Sequence, residues 1–151
     1  MVNSSQAEEQ YGHISMWNVS QVTSMERLFR GTDFNEDISS WDVHNVVSMN
    51  GMFASSLFNG VVSGWNVTKV TDMSFMFYNT SFTGDLSQWN TSNATDMQSM
   101  FNRAYLFNSD ISEWDVSKVT TMSYMFYEAN RFTGDLSQWN TSSATNMHGM
   151  F

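Results

Sequence analysis

Neither cysteine nor proline occurs anywhere in the chain. The missing thiols exclude disulfides, thiolate metal ligands and cysteine catalysis, and they remove redox chemistry as a guide to compartment. The missing proline points to a backbone whose N–H groups are needed at every repeat position or sit beside a helical neighbour. Positive charge is scarce as well: six Lys and Arg stand against 15 Asp and Glu, a net charge of −9. Arg27, Arg30, Lys69, Arg103, Lys118 and Arg131 form no basic run. Nucleic acid and anionic membrane are therefore unfavourable partners, and neutral glycans, cationic proteins or divalent cations are easier ones. No apolar run is long enough to span a bilayer. Residues 1–10 read as a polar leader without the apolar centre of a signal peptide.

What the chain has in plenty is periodic. Trp17, Trp41, Trp65, Trp89, Trp114 and Trp139 follow one another at 24, 24, 24, 25 and 25 residues. With each Trp as zero, Met25, Met49, Met73, Met97, Met122 and Met147 stand at plus eight, and Phe29, Phe53, Phe77, Phe101, Phe126 and Phe151 at plus twelve. Leu28, Met52, Met76, Met100, Met125 and Met150 fill plus eleven, and Ile14, Ile38, Val62, Leu86, Ile111 and Leu136 fill minus three. A second Phe falls between units at Phe34, Phe58, Phe82, Phe107 and Phe132. The two longer spacings take their extra residue just before that second Phe, where a loop absorbs it. Periodic Met beside Phe reads as core filling, since Met adapts to irregular gaps. Residues 11–151 are thus one domain of six tandem repeats, the last incomplete.

Two periods alternate inside a unit. Trp41 and Val43 alternate with Ser40, Asp42 and His44, the pattern of a short half-buried strand. Met73, Met76 and Phe77 share a helical face behind Thr71, a suitable N-cap, with Asp72 near the helix start. Strands recurring once per unit stack in parallel. The expected fold is an α/β, leucine-rich-repeat-like solenoid with one short parallel strand and a short helix or 3₁₀ turn per repeat. A parallel β-helix is the alternative.

Ile38, Trp41, Val43, Val46 and Met49 follow leucine-rich-repeat spacing, with Val at the usual Asn. The unit Trp114-Asp-Val-Ser-Lys-Val-Thr-Thr-Met-Ser-Tyr-Met-Phe126 resembles the BspA-like bacterial surface-protein repeat, a relative of the leucine-rich repeats, from about Tyr11 to Phe151. The period here is shorter, and Thr91 and Thr141 replace the strand Val. The resemblance implies a cell-surface or extracellular module for adhesion or recognition, in a family largely without assigned activity.

Candidate sites follow from the columns. If Trp points inward, Asn18, Asp42, Asn66, Asn90, Asp115 and Asn140 point outward, beside Ser20, His44, Thr68, Ser92, Ser117 and Ser142. These rows are the expected binding surface, an exposed sheet face for a protein or glycan ligand. A flat array also suits ice or a mineral lattice, which mixed Asp, His and Asn rows match poorly. Asp37, Asp85, Asp110 and Asp135 form a broken acidic column whose common role is turn stabilisation and whose sharper reading is a calcium ladder. His13, His44 and His148 occupy different columns, so no zinc pair forms at ligand spacing. His44 beside Asp42, between Ser20 and Thr68, offers a hydroxyl, a His and a carboxylate, and reads as a solvated face. No metal, cofactor or enzymatic set emerges.

Sequons occur at Asn3, Asn18, Asn66, Asn79, Asn90, Asn93 and Asn140. Phe82–Asn90 matches Phe132–Asn140 residue for residue, the mark of expansion by a two-unit block. Ending at Phe151 without a polar cap suggests an excised piece of a longer array, or end-to-end self-association through the last repeat. Tyr11-Gly12-His13-Ile14 resembles a degenerate first turn, a natural cap at the other end.

Overall fold

The computed structural model describes residues 4–151 of the protein; the sequon at Asn3 and the start of the leader lie outside them. Helix α1 covers Ser4–Tyr11 and a 3₁₀ turn covers Ile14–Met16. Gly12 ends α1 with φ +73 and its N–H on Glu8 O at 2.9 Å, a left-handed helix end that glycine adopts without strain.

Beyond Met16, each repeat is a chain of tight turns. In the second unit, Asp37 Oδ1 accepts the Ser39 N–H at 2.9 Å and Trp41 N–H donates to Ile38 O at 3.1 Å. Asp42 Oδ1 then accepts the His44 N–H at 3.3 Å, and Val46 N–H donates to Val43 O at 2.9 Å. A short Asx side chain imitates a backbone acceptor and so commits the next residues to a turn. The segment expected as a strand is therefore two capped turns.

The segment expected as a helix is also different. Met52, Ala54 and Ser56 donate their N–H groups to Met49, Gly51 and Phe53, each three residues back. The interleaved N–H groups of Met49, Gly51, Phe53 and Ser55 cross to Asp72, Ser74, Met76 and Tyr78 in the next coil at 2.7–3.0 Å. Every second N–H closes a turn, and the others join coils. Gly51 and Ser55 accordingly have φ of +58 and +55, and Phe75, Asn79, Ser99, Arg103, Tyr124 and Glu128 repeat that geometry. Positive φ is unfavourable for such side chains and persists where bonds on both sides dictate it. A helix would send all these N–H groups four residues back and leave neighbouring coils unjoined. Asp72 caps the following turn at Ser74, and Thr71 bonds to Val47 O instead of starting a helix.

The expected fold class is thereby corrected. Among the described residues no helix lies beyond Met16 and no sheet forms. The β pairing is a single row of isolated parallel bridges through Ser24, Ser48, Asp72, Asp96, Thr121 and Asn146. The molecule is neither an α/β leucine-rich-repeat-like solenoid nor a parallel β-helix. Parallel, in-register stacking of the repeats does hold, as those bridges require.

Three ladders fix the stack. Trp41, Trp65, Trp89, Trp114 and Trp139 each donate the indole N–H to a carbonyl of the preceding coil, at Ile14, Ile38, Val62, Leu86 and Ile111, over 2.9–3.2 Å. A buried Trp therefore both fills volume and staples coils, which Phe does not. Thr95, Thr120 and Thr145 each bring N–H and hydroxyl to one carbonyl of the preceding coil. Phe29, Phe53, Phe77, Phe101, Phe126 and Phe151 stack at 5.7–5.8 Å between ring centroids. Each of the first five also stacks on its own unit's second Phe at 3.8–4.2 Å. Where Gly60, Gly84 and Gly134 follow the second ring by two residues it lies close over their backbone, and a Cβ at Gly84 would lie 2.4 Å from Phe82 Cζ, whereas Glu36 and Ser109 stand there in the other two units.

The extra residue of the longer spacings has a specific cause. In the third unit the Thr80 hydroxyl donates to Phe77 O and accepts the Phe82 N–H. In the fourth and fifth units Ala104 and Ala129 stand there instead, and a backbone turn closes the gap: Phe107 N–H to Ala104 O, and Phe132 N–H to Ala129 O. One added residue replaces one hydroxyl. This use of N–H groups throughout the coils gives the missing proline its physical reason.

Candidate functional site

The two rows expected on an exposed sheet face lie on turns and not on a sheet, and the second of them is half-buried at Ser20, His44, Thr68, Ser92 and Ser117 and exposed at Ser142. Asn18, Asp42, Asn66, Asn90, Asp115 and Asn140 are all exposed. Each accepts at its Oδ1 the N–H of the residue two further on, at Ser20, His44, Thr68, Ser92, Ser117 and Ser142, over 2.9–3.3 Å. Capping accounts for this column by itself. His44 Nδ1 also lies 2.7 Å from Asp42 Oδ1 on the open surface.

Asp37, Asp85, Asp110 and Asp135 have the same duty toward Ser39, Ser87, Ser112 and Ser137. Those backbone N–H bonds hold the four carboxyls below the usual carboxylate range. Asp42 is lowered first by the His44 side chain, and Asp115 by the Ser117 side chain. Asp96 moves the other way, because burial disfavours its charge. Among the described residues no group of three or more His, Asp or Glu comes together to hold a metal ion.

A different surface was hidden in the variable columns. At plus ten from Trp the six units carry Arg27, Gly51, Phe75, Ser99, Tyr124 and Gly149; at plus thirteen the first five carry Arg30, Ala54, Tyr78, Asn102 and Tyr127. The turns project these side chains along one side of the stack, where a groove of about 560 Å³ runs from Arg27 and Arg30 to Tyr124. Relief alternates coil by coil. Phe75 packs edge-on against Tyr78 at 6.0 Å, and Tyr124 against Tyr127 at 5.9 Å, with Ser99 and Asn102 between the two pairs. Arg27 Cγ lies 3.4 Å from where a Gly51 Cβ would be, and Tyr124 overhangs Gly149, where a Cβ would meet its ring at 2.7 Å. Large side chains on odd coils lean over small residues on even ones.

Asn50 and Gln98 add amides to the groove. Asn102 Nδ2 bonds to Ser99 Oγ at 3.5 Å, while its Oδ1 is buried with no hydrogen-bond partner, alone in this respect among the described side chains. No Asp or Glu lines the groove; its charged members are Arg27 and Arg30. Arg27 contacts Glu26 at 3.6 Å, whereas Arg30 has no acidic partner within 4.0 Å among the described residues. Sequence reading passed over these positions because it followed columns that repeat. The available signal was the converse, a fixed position whose residue changes from unit to unit.

A second cavity, about 500 Å³, lies between α1 and the first coil, lined by Glu8, His13, Trp17, Phe34 and Glu36 among others. Trp17 donates its indole N–H to Tyr11 O and Gly12 O at 3.2 Å, so the first Trp closes onto the α1 end rather than onto a coil. No helix among the described residues is long and apolar enough to cross a membrane.

A family model described as "Mycoplasma protein of unknown function, DUF285" matches residues 1–85 and again 55–151. No curated protein and no solved structure matches the chain.

Proposed function

For a chain that belongs to the family of mycoplasma proteins of unknown function DUF285, we propose a non-enzymatic recognition module of cell-surface or secreted type, related to the BspA-like repeats, that binds a protein or glycan ligand. The observation that carries this reading is a contrast between columns. Trp, Met, Phe and capping Asx recur because the stack needs them, while the plus-ten and plus-thirteen positions along the groove, exposed at Arg27, Arg30 and Tyr127 and half-buried or buried elsewhere, change from Arg to Gly, Phe, Ser and Tyr on the same backbone. Solenoid-like arrays typically recognise ligands through such ordered surfaces. Half-buried aromatics beside amides supply the anchors and polar contacts that binding sites use.

The test is an array of glycans and extracellular proteins probed with three forms of the chain: unaltered, the double Tyr78→Ala, Tyr124→Ala in the groove, and the fourfold Asp42→Ala, Asn66→Ala, Asn90→Ala, Asp115→Ala. Specific binding abolished by the double variant and kept by the fourfold variant is the expected result. Loss in the fourfold variant alone would move recognition to the capping rows. Silence from all three removes the recognition reading.

A further inference from the structure

We propose that the cavity between α1 and the first coil is a binding site for a guanidinium group, the side chain of an arginine on a partner protein. This site is separate from the groove and stands or falls without it. Its first support is an internal template. Trp41, Trp65, Trp89, Trp114 and Trp139 each lie 6.0–6.4 Å from the plus-twelve Phe of the coil before. Phe58, Phe82 and Phe132 likewise stack on the second Phe of the coil before, at 5.8–6.4 Å. Trp17 and Phe34 receive no such ring. In its place α1 brings Tyr11, edge-on to Trp17 at 6.5 Å. Trp17 is 40% exposed, against 3–8% for the five later Trp, and Phe34 is half-buried where Phe58, Phe82 and Phe107 are buried. The space left is about 500 Å³, and every residue lining it is exposed or half-buried. The seat is therefore open, and its aromatic walls stand where later coils take a flat group.

Charge selects among flat groups. Glu8, Asp33 and Glu36 line this cavity, and no Lys or Arg does. An ionised carboxylate accepts hydrogen bonds and donates none. Glu36 lies 3.8 Å from His13 Nε2, and the carboxylates of Glu8 and Asp33 have no hydrogen-bond or ion-pair partner among the described residues. These acids do not converge with His13 to hold a metal ion. They edge the cavity as separate acceptors. A guanidinium answers both features, since it is planar, permanently charged, carries five N–H donors and stacks on aromatic rings. An ammonium lacks the plane, a phenyl ring lacks the donors, and an anion meets three like charges. The net charge of −9 favours encounter with a cationic partner in the same sense.

The test titrates the isotope-labelled full chain with acetyl-Gly-Gly-Arg-Gly-Gly-amide and follows the Trp indole N–H resonances, that of Trp17 being identified by its loss in Trp17→Phe. Control peptides carry lysine or citrulline in place of the arginine. The arginine peptide should shift the Trp17 resonance and leave the five others, which are bonded to carbonyls between coils, in place. Citrulline keeps the plane and loses the charge, and should bind at least about tenfold more weakly; lysine should bind at least about threefold more weakly. Asp33→Asn with Glu36→Gln should weaken the arginine peptide at least about fivefold with unchanged thermal unfolding, because both side chains are exposed. Glu113→Gln with Glu128→Gln makes the same change of charge in the fifth unit and should weaken it less than about twofold. Equal binding of the citrulline or the lysine peptide overturns the proposal. Equal effects of the two double variants overturn it as well, and so does a Trp17 resonance that stays in place up to about 10 mM arginine peptide.

Discussion

Two sides of each coil are built from the same device, a turn closed three residues back, yet they behave oppositely from repeat to repeat. On the side that follows Trp, the Asx oxygen is consumed by the N–H two residues on, so the residue is fixed as Asn or Asp in all six units. On the side that follows Met, the turns are held by N–H groups crossing to the next coil, and the plus-ten side chain takes no part in holding them. It varies from Gly to Arg to Tyr even at positive φ. Where backbone bonds dictate the conformation, the side chain is free to vary. Where a side chain dictates it, the column is frozen.

That contrast can be broken at its base. Phe77→Ala removes a ring with no solvent exposure, stacked on Phe53, Phe82 and Phe101. Urea denaturation should show a loss of about 3–5 kcal/mol. Trp89→Phe keeps most of the packing and deletes the staple to Val62 O. A loss of about 1–3 kcal/mol is expected from the missing bond and the unpaired carbonyl, and a loss like that of a surface mutant would mean the staple is idle. Asn90→Ala, which deletes only a cap, should cost about 1 kcal/mol in the same assay.

Acid sharpens the comparison differently. Asp37, Asp42, Asp85, Asp110, Asp115 and Asp135 have folded pKa values depressed below those of the unfolded chain. Their contribution is present above the unfolded value of about 4 and is lost as pH falls through the folded values. Asp96, raised by burial, opposes the fold when charged and is relieved on protonation, an offset in the other direction. With six groups against one, the thermal midpoint should decline below about pH 4; a midpoint that rises on acidification would show that the caps do not act as charged acceptors. The smallest effect belongs to the variable side: Tyr78→Ser should change stability by no more than about 0.5 kcal/mol. A loss comparable to Trp89→Phe would show that the groove wall is structural.

Much of the stack was legible in advance. The Trp, Met and Phe columns, the minus-three aliphatic column and the parallel register need only the period, and Met49, Met73, Met97 and Met122 are indeed buried. The capping role of Asp37 and its equivalents followed from Asx chemistry. The strand and helix did not survive, because Trp41 with Val43 satisfies a two-residue period inside successive turns, and Met73, Met76 and Phe77 satisfy a helical one. Burial columns record which side chains go inward, and several backbones deliver the same set. The groove was missed for a related reason: residues such as Gly51, Phe75 and Ser99 share a position in space and no property in sequence.

Sequence alone thus determined the number of coils, their core and their direction, because hydrophobic burial repeats with the chain and is readable residue by residue. Tertiary structure decided what the backbone does between buried residues. Each N–H in the Met–Phe segment chooses between a carbonyl three residues back and one in the next coil, a choice made only when that coil is present. The coil-to-coil bonds then impose positive φ on Phe75, Ser99 and Tyr124 against their own preference.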